Sequence, residues 1–294
     1  MSLTRQGLAN GVLVVVAGVL AWVLWSRPGP RPQAPPAPRL APVKSAAITA
    51  ITITRPGRPT IGLRQTAGHW QLVQPFKARA ARFRVEALTD IVDVRPHDRF
   101  AAPSRPLGAF GLAPPQAIVT LNHRRILIGR RRPFGDLRYV LIGHTIALVP
   151  AEIIHPRRLT SDSFLSTRLL GDHIHPVSFS LPHLTVTRHD GIWHATPSPA
   201  QVSNDRINGF VDAWRYARAL SITRYHGAAV TGRVVIHYHE RGTSKTPARH
   251  TLVIDILTTH PELVLLRPDQ GLEYHFPQEI GERLLAIRPG ARTS

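Results

Sequence analysis

The sequence contains no cysteine among its 294 residues. This absence excludes a disulfide framework and any site built on a thiolate. Acidic residues are also scarce, with 18 Asp and Glu against 37 Lys and Arg, so the formal net charge is +19. Such a surface attracts polyanions, and the candidates are anionic lipid, acidic polysaccharide and nucleic acid. Because the arginines are spread along the chain, general adaptation of an exported surface is the alternative explanation.

The patterns of common catalytic sites are missing as well. The chain has no Gly-x-Ser-x-Gly elbow, no phosphate-binding loop ending in Gly-Lys-Ser/Thr and no dinucleotide-binding glycine fingerprint. His173 and His175, like His237 and His239, would share one face of an extended segment, but a catalytic zinc site needs a third ligand. We therefore expect no enzyme activity, no metal and no cofactor. A metal-dependent hydrolase is the least favoured alternative.

One long apolar run lies near the N-terminus. Residues 8–25 carry no charge and include Trp22 and Trp25 at one end, and a helix of this length crosses a hydrocarbon core of about 30 Å. The run predicts a single-pass transmembrane anchor after a short tail, 1–7. A cleaved secretory signal is the alternative, but Ser26-Arg27-Pro28 is not a small-x-small cleavage site. We expect an inner-membrane protein with its body on the periplasmic side.

Residues 26–45 are rich in Pro, Ala and Arg. This composition favours extended polyproline segments and cannot bury a core. It predicts a stiff spacer between the anchor and the body.

The body repeats a series of landmarks, which predicts a duplicated unit over 46–160 and 161–290. Each half has a Gly-x-Trp turn, a proline soon after it, and a second proline near its end. The paired landmarks are Gly68 with Gly191, Trp70 with Trp193, Pro75 with Pro197, and Pro150 with Pro277. Because the two tryptophans occupy equivalent places, we interpret them as core anchors and not as a ligand platform.

Apolar periodicity predicts the elements of each unit. Val85, Leu88 and Val92 have helical spacing in the first half, and Ile207, Phe210, Val211 and Trp214 have it in the second. Strand-like runs at 117–121 and 125–128, and again at 234–238 and 251–254, predict hairpins. The predicted fold class is α+β, in which each unit is an antiparallel sheet with one long packed helix. Arg79 and Arg82 precede Glu86 on the first helix, which predicts an exposed, ion-paired face.

Several segments of the first half carry a family resemblance. They are Gly68-x-Trp70 leading to Pro75, the segment Leu107 to Pro115 with Gly111 and Pro114, and then Ile128-Gly129, Tyr139-Val140 and Val149-Pro150. Together they resemble the bacterial domain of unknown function 4340. The resemblance implies an envelope-facing body behind an N-terminal anchor, and an association with gliding-motility-type auxiliary components of ABC transporters. It implies no catalytic residues.

These observations predict a non-catalytic, membrane-anchored envelope protein that acts as a binding or scaffold accessory of an ABC-transporter-type assembly, with membrane proteins as partners. The alternative is a module that binds an anionic polymer or lipid. Its candidate contacts form the densest basic cluster of the chain, namely Arg124, Arg125, Arg130, Arg131 and Arg132.

Overall fold

A computed structural model describes residues 15–19, 21–22, 38–102, 106–197, 202–240 and 248–287. The chain divides into two compact units, residues 1–39 and residues 40–294. In the first unit, the residues described at 15–19 and 21–22 are helical. The tail 1–7 and most of the spacer 26–45 lie outside the described residues.

The predicted transmembrane helix over 8–25 is not found. Within the ranges that the structure describes, no helix is both long enough and apolar enough to cross a membrane. The described helical residues of this segment are 15–19 and 21–22. The prediction of a single-pass transmembrane protein is therefore contradicted. The other residues of the predicted span lie outside the described ranges.

The first half of the second unit forms an antiparallel sheet, with nine strands in the described residues. Its strands follow the order β4-β3-β2-β1-β6-β7-β8-β9-β5. A helix, α1 (Arg82–Thr89), lies between β4 and β5 in the chain. The strands are β1 (Ala50–Arg55), β2 (Arg58–Thr66), β3 (His69–Gln74), β4 (Ala78–Arg79), β5 (Asp98–Ala101), β6 (Ala117–Leu121), β7 (Arg124–Arg131), β8 (Leu137–Ile142) and β9 (Thr145–Pro150).

The second half forms another antiparallel sheet, in which eight strands are described. Their order is β12-β11-β10-β14-β15-β16-β17-β13. Two helices accompany this sheet, α2 (Asn204–Tyr216) before β13 and α3 (Gln278–Leu285) after β17. The strands are β10 (Ile174–Leu181), β11 (Leu184–His189), β12 (Ile192–Thr196), β13 (Ser221–Arg224), β14 (Gly232–Glu240), β15 (Arg249–Thr258), β16 (Leu263–Arg267) and β17 (Leu272–Phe276).

The two sheets share one topology once the extra strand β4 is set aside. In the first sheet, the meander β1–β3 pairs through β1 with the meander β6–β9, and β5, the strand after the helix, lies at the far edge. In the second sheet, the meander β10–β12 pairs through β10 with the meander β14–β17, and β13 lies at the far edge. A duplicated unit would produce this agreement. The boundaries 46–160 and 161–290 stay predictions.

The predicted α+β class with a long helix on each sheet is wrong, because the fold is mostly antiparallel β. Helix α1 has 8 residues and helix α2 has 13. Val85, Leu88 and Val92 are all buried as predicted, but α1 ends at Thr89 and a 3-10 turn, Asp90–Asp93, carries Val92. The apolar spacing identified the buried face. The spacing did not show where the helix ends, because Val92 is buried on the 3-10 turn as it would be on a longer helix.

The repeat landmarks occupy turns and strand ends. Gly68 and Gly191 have φ of 79° and 84°, and each follows a residue that also has positive φ, Ala67 or Asp190. Such pairs suit two-residue hairpins. Pro75, Pro114 and Pro197 follow cis peptide bonds, Pro150 ends β9, and Pro277 precedes α3. At Gly111, φ is 64°, and a Cβ would lie 3.0 Å from the Arg130 nitrogen, so glycine is required there.

Residues of both halves form one continuous hydrophobic core. Trp70 is buried, and Trp193 is half-buried with its ring 5.9 Å from that of Phe179. Trp214 of α2 is fully buried, and its Nε1 donates to the Leu284 carbonyl oxygen at 2.8 Å. This shared core holds the two sheets together and positions the cleft described next.

Candidate anion-binding cleft

A cleft of about 550 Å³ opens where the two halves of the second unit meet. The first half contributes Gln71 from the middle of β3, the β4 strand and Lys77 just before it. The second half contributes the segment before β10, parts of β14 and β15, and the β16–β17 turn. The residues that line the cleft are Gln71, Lys77, Ala78, Arg79, His173, Ile174, Tyr238, Thr251, Leu252, Val253, Arg267, Pro268, Asp269 and Gln270.

Arg79 is the central cation of this cleft. It lies on β4 opposite Gln71, and its Nη2 donates to the Arg168 carbonyl oxygen. Its Nε atom is buried and has no hydrogen-bond partner. Burial lowers the pKa of Arg79 to about 10, with Arg267 and Arg168 acting in the same direction. The group is nevertheless charged at neutral pH, since a pKa of about 10 leaves it protonated.

Arg267 is a second cation at the cleft; it is buried, and each of its three guanidinium nitrogens has a hydrogen-bond partner. Its Nε and Nη2 bind the two carboxylate oxygens of Asp269 at 2.9 and 2.8 Å, and its Nη1 donates to the Leu169 carbonyl oxygen at 2.7 Å. Burial opposes ionisation of Asp269, yet the bonds and charge of Arg267 outweigh it and hold the pKa of Asp269 below its usual value. The Asp269 carboxylate therefore forms its ion pair with Arg267. Among the described residues, no carboxylate forms an ion pair with Arg79.

Two tyrosines next to these cations are neutral. Burial raises the pKa of Tyr274, whose hydroxyl donates to Gln270 Oε1 at 3.1 Å. Burial also raises the pKa of Tyr238. With both phenols protonated, Arg79, Arg267 and Asp269 carry two positive charges and one negative charge, so this group is positive by one.

A histidine pair adjoins the cleft and joins the two halves. The ring of His69, on β3, lies 5.0 Å from that of His173, and His173 Nε2 lies 3.9 Å from Glu240 Oε1. Burial lowers the pKa of His173, and His69 lowers it further. A Cβ at Gly171 would lie 2.5 Å from His173 Cε1 and 2.7 Å from Arg79 Nη1. Glycine at 171 therefore allows both side chains to lie against the backbone.

Sequence reasoning missed Arg79 as a site residue and assigned it to an exposed helix face. Arg82 and Glu86 do form the ion pair expected of that face, at 2.6 Å. Arg79 instead belongs to β4, before the helix begins. Its surroundings come from residues about 90 positions away or more, such as Arg168 and Arg267. No local pattern signals contacts at that separation.

The five arginines predicted to contact a polyanion do not form one cluster. Arg124 and Arg125 begin β7, whereas Arg130 and Arg131 end it and Arg132 follows. Arg130 lies six positions after Arg124 on this strand, a distance of about 20 Å. Arg131 pairs with Asp136. None of the five lines the cleft, and their contact with a polyanion stays a prediction.

The structure brings part of the histidine set together. His175 lies opposite His239 in the β10–β14 ladder. His237 Nδ1 lies 3.0 Å from Thr251 Oγ1. Within the described ranges, no group of three or more His, Asp or Glu residues is placed to hold a metal ion. The alternative of a metal-dependent hydrolase therefore has no ligand set among these residues.

Comparisons with protein families, curated proteins and solved structures found no match to this chain. The resemblance to the domain of unknown function 4340 stays a prediction, and a function has to be argued from the cleft itself.

Proposed function

We propose that this protein is a non-catalytic binding protein that takes an anionic group of its ligand into the cleft beside Arg79. The observation that carries the proposal is the buried Nε of Arg79, which has no hydrogen-bond partner, on a guanidinium without an ion-pair partner among the described residues. Burying a cation costs several kcal/mol unless an opposite charge and hydrogen bonds compensate it. A bound anion would supply both.

The chemistry of a guanidinium makes it suitable for this role. Its N–H groups form a planar fork that matches carboxylate and phosphate oxygens, and such charge-assisted bonds are stronger than neutral ones. The carbonyl oxygen of Arg168 accepts from Nη2, and the buried Nε is the donor whose missing partner the proposed anion would supply. Lys77 is exposed at the same cleft and adds to the positive potential.

The rest of the lining suggests the character of the ligand. Ile174, Leu252, Val253 and Pro268 add apolar surface to the polar groups. The cleft volume of about 550 Å³ falls within the range of about 300–1,000 Å³ usual for small-molecule sites. The ligand class is therefore a small molecule that combines an anionic group with an apolar part.

The wider setting of this binding is also a proposal. The role as an accessory of an ABC-transporter-type assembly and the placement of the body on the periplasmic side rest on the family resemblance.

Isothermal titration calorimetry tests the proposal with inorganic phosphate, sulfate, acetate and citrate as probes, at constant ionic strength set by chloride. We expect at least one probe to bind with a stoichiometry of one. Arg79→Met should weaken this binding about tenfold or more, since a charge-assisted bond contributes about 1.5–3 kcal/mol. Arg64→Met is the matched control, because Arg64 is exposed on β2 and does not line the cleft.

Two outcomes would overturn the proposal. One is that no probe binds more tightly than chloride. The other is that Arg79→Met binds the best probe as tightly as the unmodified protein and the Arg64→Met control.

A further inference from the structure

A second basic feature lies on the turn between β7 and β8, which we call the basic hairpin, residues 130–136. Arg130, Arg131 and Arg132 are exposed there. Phe134 follows them with 83% of its side chain exposed, the highest value among the large apolar side chains that the structure describes. An isolated exposed apolar residue is ordinary, but this one closely follows three cations in the chain.

The hairpin is held in a defined shape. The Arg132 amide donates to the Leu137 carbonyl oxygen at 2.8 Å, and Arg131 pairs with Asp136 across the turn. Gly135 has φ of 76°, which lets the chain reverse after Phe134. Pro133 and Phe134 therefore lie at the tip of a closed turn, with the arginines on the strand end below it.

The charge under the tip is positive as well. Arg138, opposite Arg131 in the ladder, is buried and donates to Gln116 Oε1 at 2.9 Å and to the Gly129 carbonyl oxygen at 2.7 Å. Burial lowers the pKa of Arg138, and the charge of Arg131 lowers it further. Arg130, Arg131, Arg132 and Arg138 against Asp136 give four positive charges and one negative, a net of +3.

We propose that the basic hairpin docks on an anionic lipid surface, with Phe134 inserted at the headgroup level and Arg130, Arg131 and Arg132 beside the lipid phosphates. An apolar tip on a turn whose base carries cations combines the two forces that bind proteins to such surfaces, burial of apolar area and attraction to anionic headgroups. The proposal is independent of the cleft, since no residue of the hairpin lines it.

Nucleic acid is the competing polyanion, and the arrangement fits it less well. Proteins that bind single strands use several aromatic side chains along a positively charged groove. Phe134 is the single aromatic residue of this hairpin. Arg124 and Arg125, which would extend the charge along the strand, lie about 20 Å away at the other end of β7.

Sedimentation of the full chain with vesicles tests the proposal. The vesicles contain phosphatidylcholine alone, or equal parts of phosphatidylcholine and phosphatidylglycerol. We expect binding to be stronger on the anionic vesicles and to fall with salt. Phe134→Ser should weaken binding to anionic vesicles about tenfold, and the joint change of Arg130, Arg131 and Arg132 to Ser should remove their advantage over neutral vesicles.

The matched controls come from the same chain. Arg124→Ser with Arg125→Ser removes two cations from the opposite end of β7, and Leu220→Ser removes an apolar side chain that is 76% exposed outside the hairpin. Both variants should bind the anionic vesicles like the unmodified protein. Equal losses in the controls and in the hairpin variants would overturn the proposal.

A local probe separates the hairpin from any other contact with the vesicle. Because the chain has no cysteine, Phe134→Cys can be labelled at that one position with an environment-sensitive dye. We expect a blue shift with anionic vesicles and none with neutral ones, whereas the dye on Leu220→Cys should not respond. An unshifted dye at Phe134→Cys, or tighter binding of a single-stranded oligonucleotide than of anionic vesicles, would overturn the lipid assignment.

Discussion

The substitution Arg79→Met should stabilise the ligand-free protein while it weakens anion binding. A residue kept for stability behaves in the opposite way, so the two readouts together distinguish a binding group from a structural one. Arg79 is suitable for this test because the folded protein disfavours its charge when no ligand is bound. Methionine fills a similar length without a charge or a polar group.

The magnitude follows from the pKa of Arg79. Its fall to about 10 corresponds to about 3 kcal/mol of destabilisation of the charged form. Loss of the bond to the Arg168 carbonyl oxygen returns about 1 kcal/mol. The expected net gain in the free energy of unfolding is about 2 kcal/mol. Partial exposure of the side chain makes this an upper value.

Because the pKa of Arg79 is lowered in the folded protein, its effect on the free energy of unfolding depends on pH. Above pH 10 the folded protein loses the Arg79 proton before the unfolded chain does, so the unfolded chain binds more protons and stability rises with pH. The advantage of Arg79→Met is therefore full at neutral pH and shrinks as the pH rises through about 10.

Urea unfolding followed by tryptophan fluorescence, in a buffer of weakly binding anions, measures the effect. The Arg64→Met control should change the free energy of unfolding by less than about 0.5 kcal/mol. Addition of the best-binding anion should stabilise the unmodified protein and leave Arg79→Met unchanged. A loss of about 2 kcal/mol or more in Arg79→Met would refute the reasoning, because it would show that the fold depends on this guanidinium.

Three further predictions concern the same unit. Anion binding should tighten as the pH falls, because burial holds the pKa of His173 below its usual value and an entering anion favours its protonation. In His173→Gln, the anion affinity measured by calorimetry should depend less on pH. An unchanged pH dependence would contradict this prediction. Gly171→Ala should weaken anion binding about tenfold, since its Cβ would lie 2.7 Å from Arg79 Nη1, and unchanged affinity in the same titration would count against the close packing. Trp214→Phe should lower the free energy of unfolding by about 2–3 kcal/mol through the lost bond to Leu284 and the cavity left behind, and a urea experiment that finds less than about 0.5 kcal/mol would reject this role.

Local sequence patterns were sufficient for several parts of the fold. The strand-like runs at 117–121 and 125–128 pair as β6 and β7, and those at 234–238 and 251–254 pair as β14 and β15. Gly68 and Gly191 form the turns between neighbouring strands. These features depend on residues close together in the chain, where alternating apolar residues and the freedom of glycine at positive φ determine the structure.

Two predictions from the sequence were wrong, namely the length of the first helix and the transmembrane helix over 8–25. The apolar spacing of Val85, Leu88 and Val92 found the buried face, but a 3-10 turn replaced the last turn of the expected helix. The charge-free run at 8–25 predicted a transmembrane helix that the described residues do not contain. Apolar composition indicates which residues avoid water, but it does not determine the type or the length of the secondary-structure element that contains them.

The sequence by itself determined the strand pattern, the hairpin turns, the absence of thiol chemistry and the strong positive charge. Only the tertiary structure distinguishes one of the many arginines as the candidate for anion binding. Arg79 differs from the exposed arginines because residues about 90 positions away or more surround it, while the carboxylate of Asp269 binds Arg267. Likewise, the extended strand β7 divides one cluster of arginines in the sequence between its two ends. Charge is a property of residues, whereas an unsatisfied charge is a property of their packing.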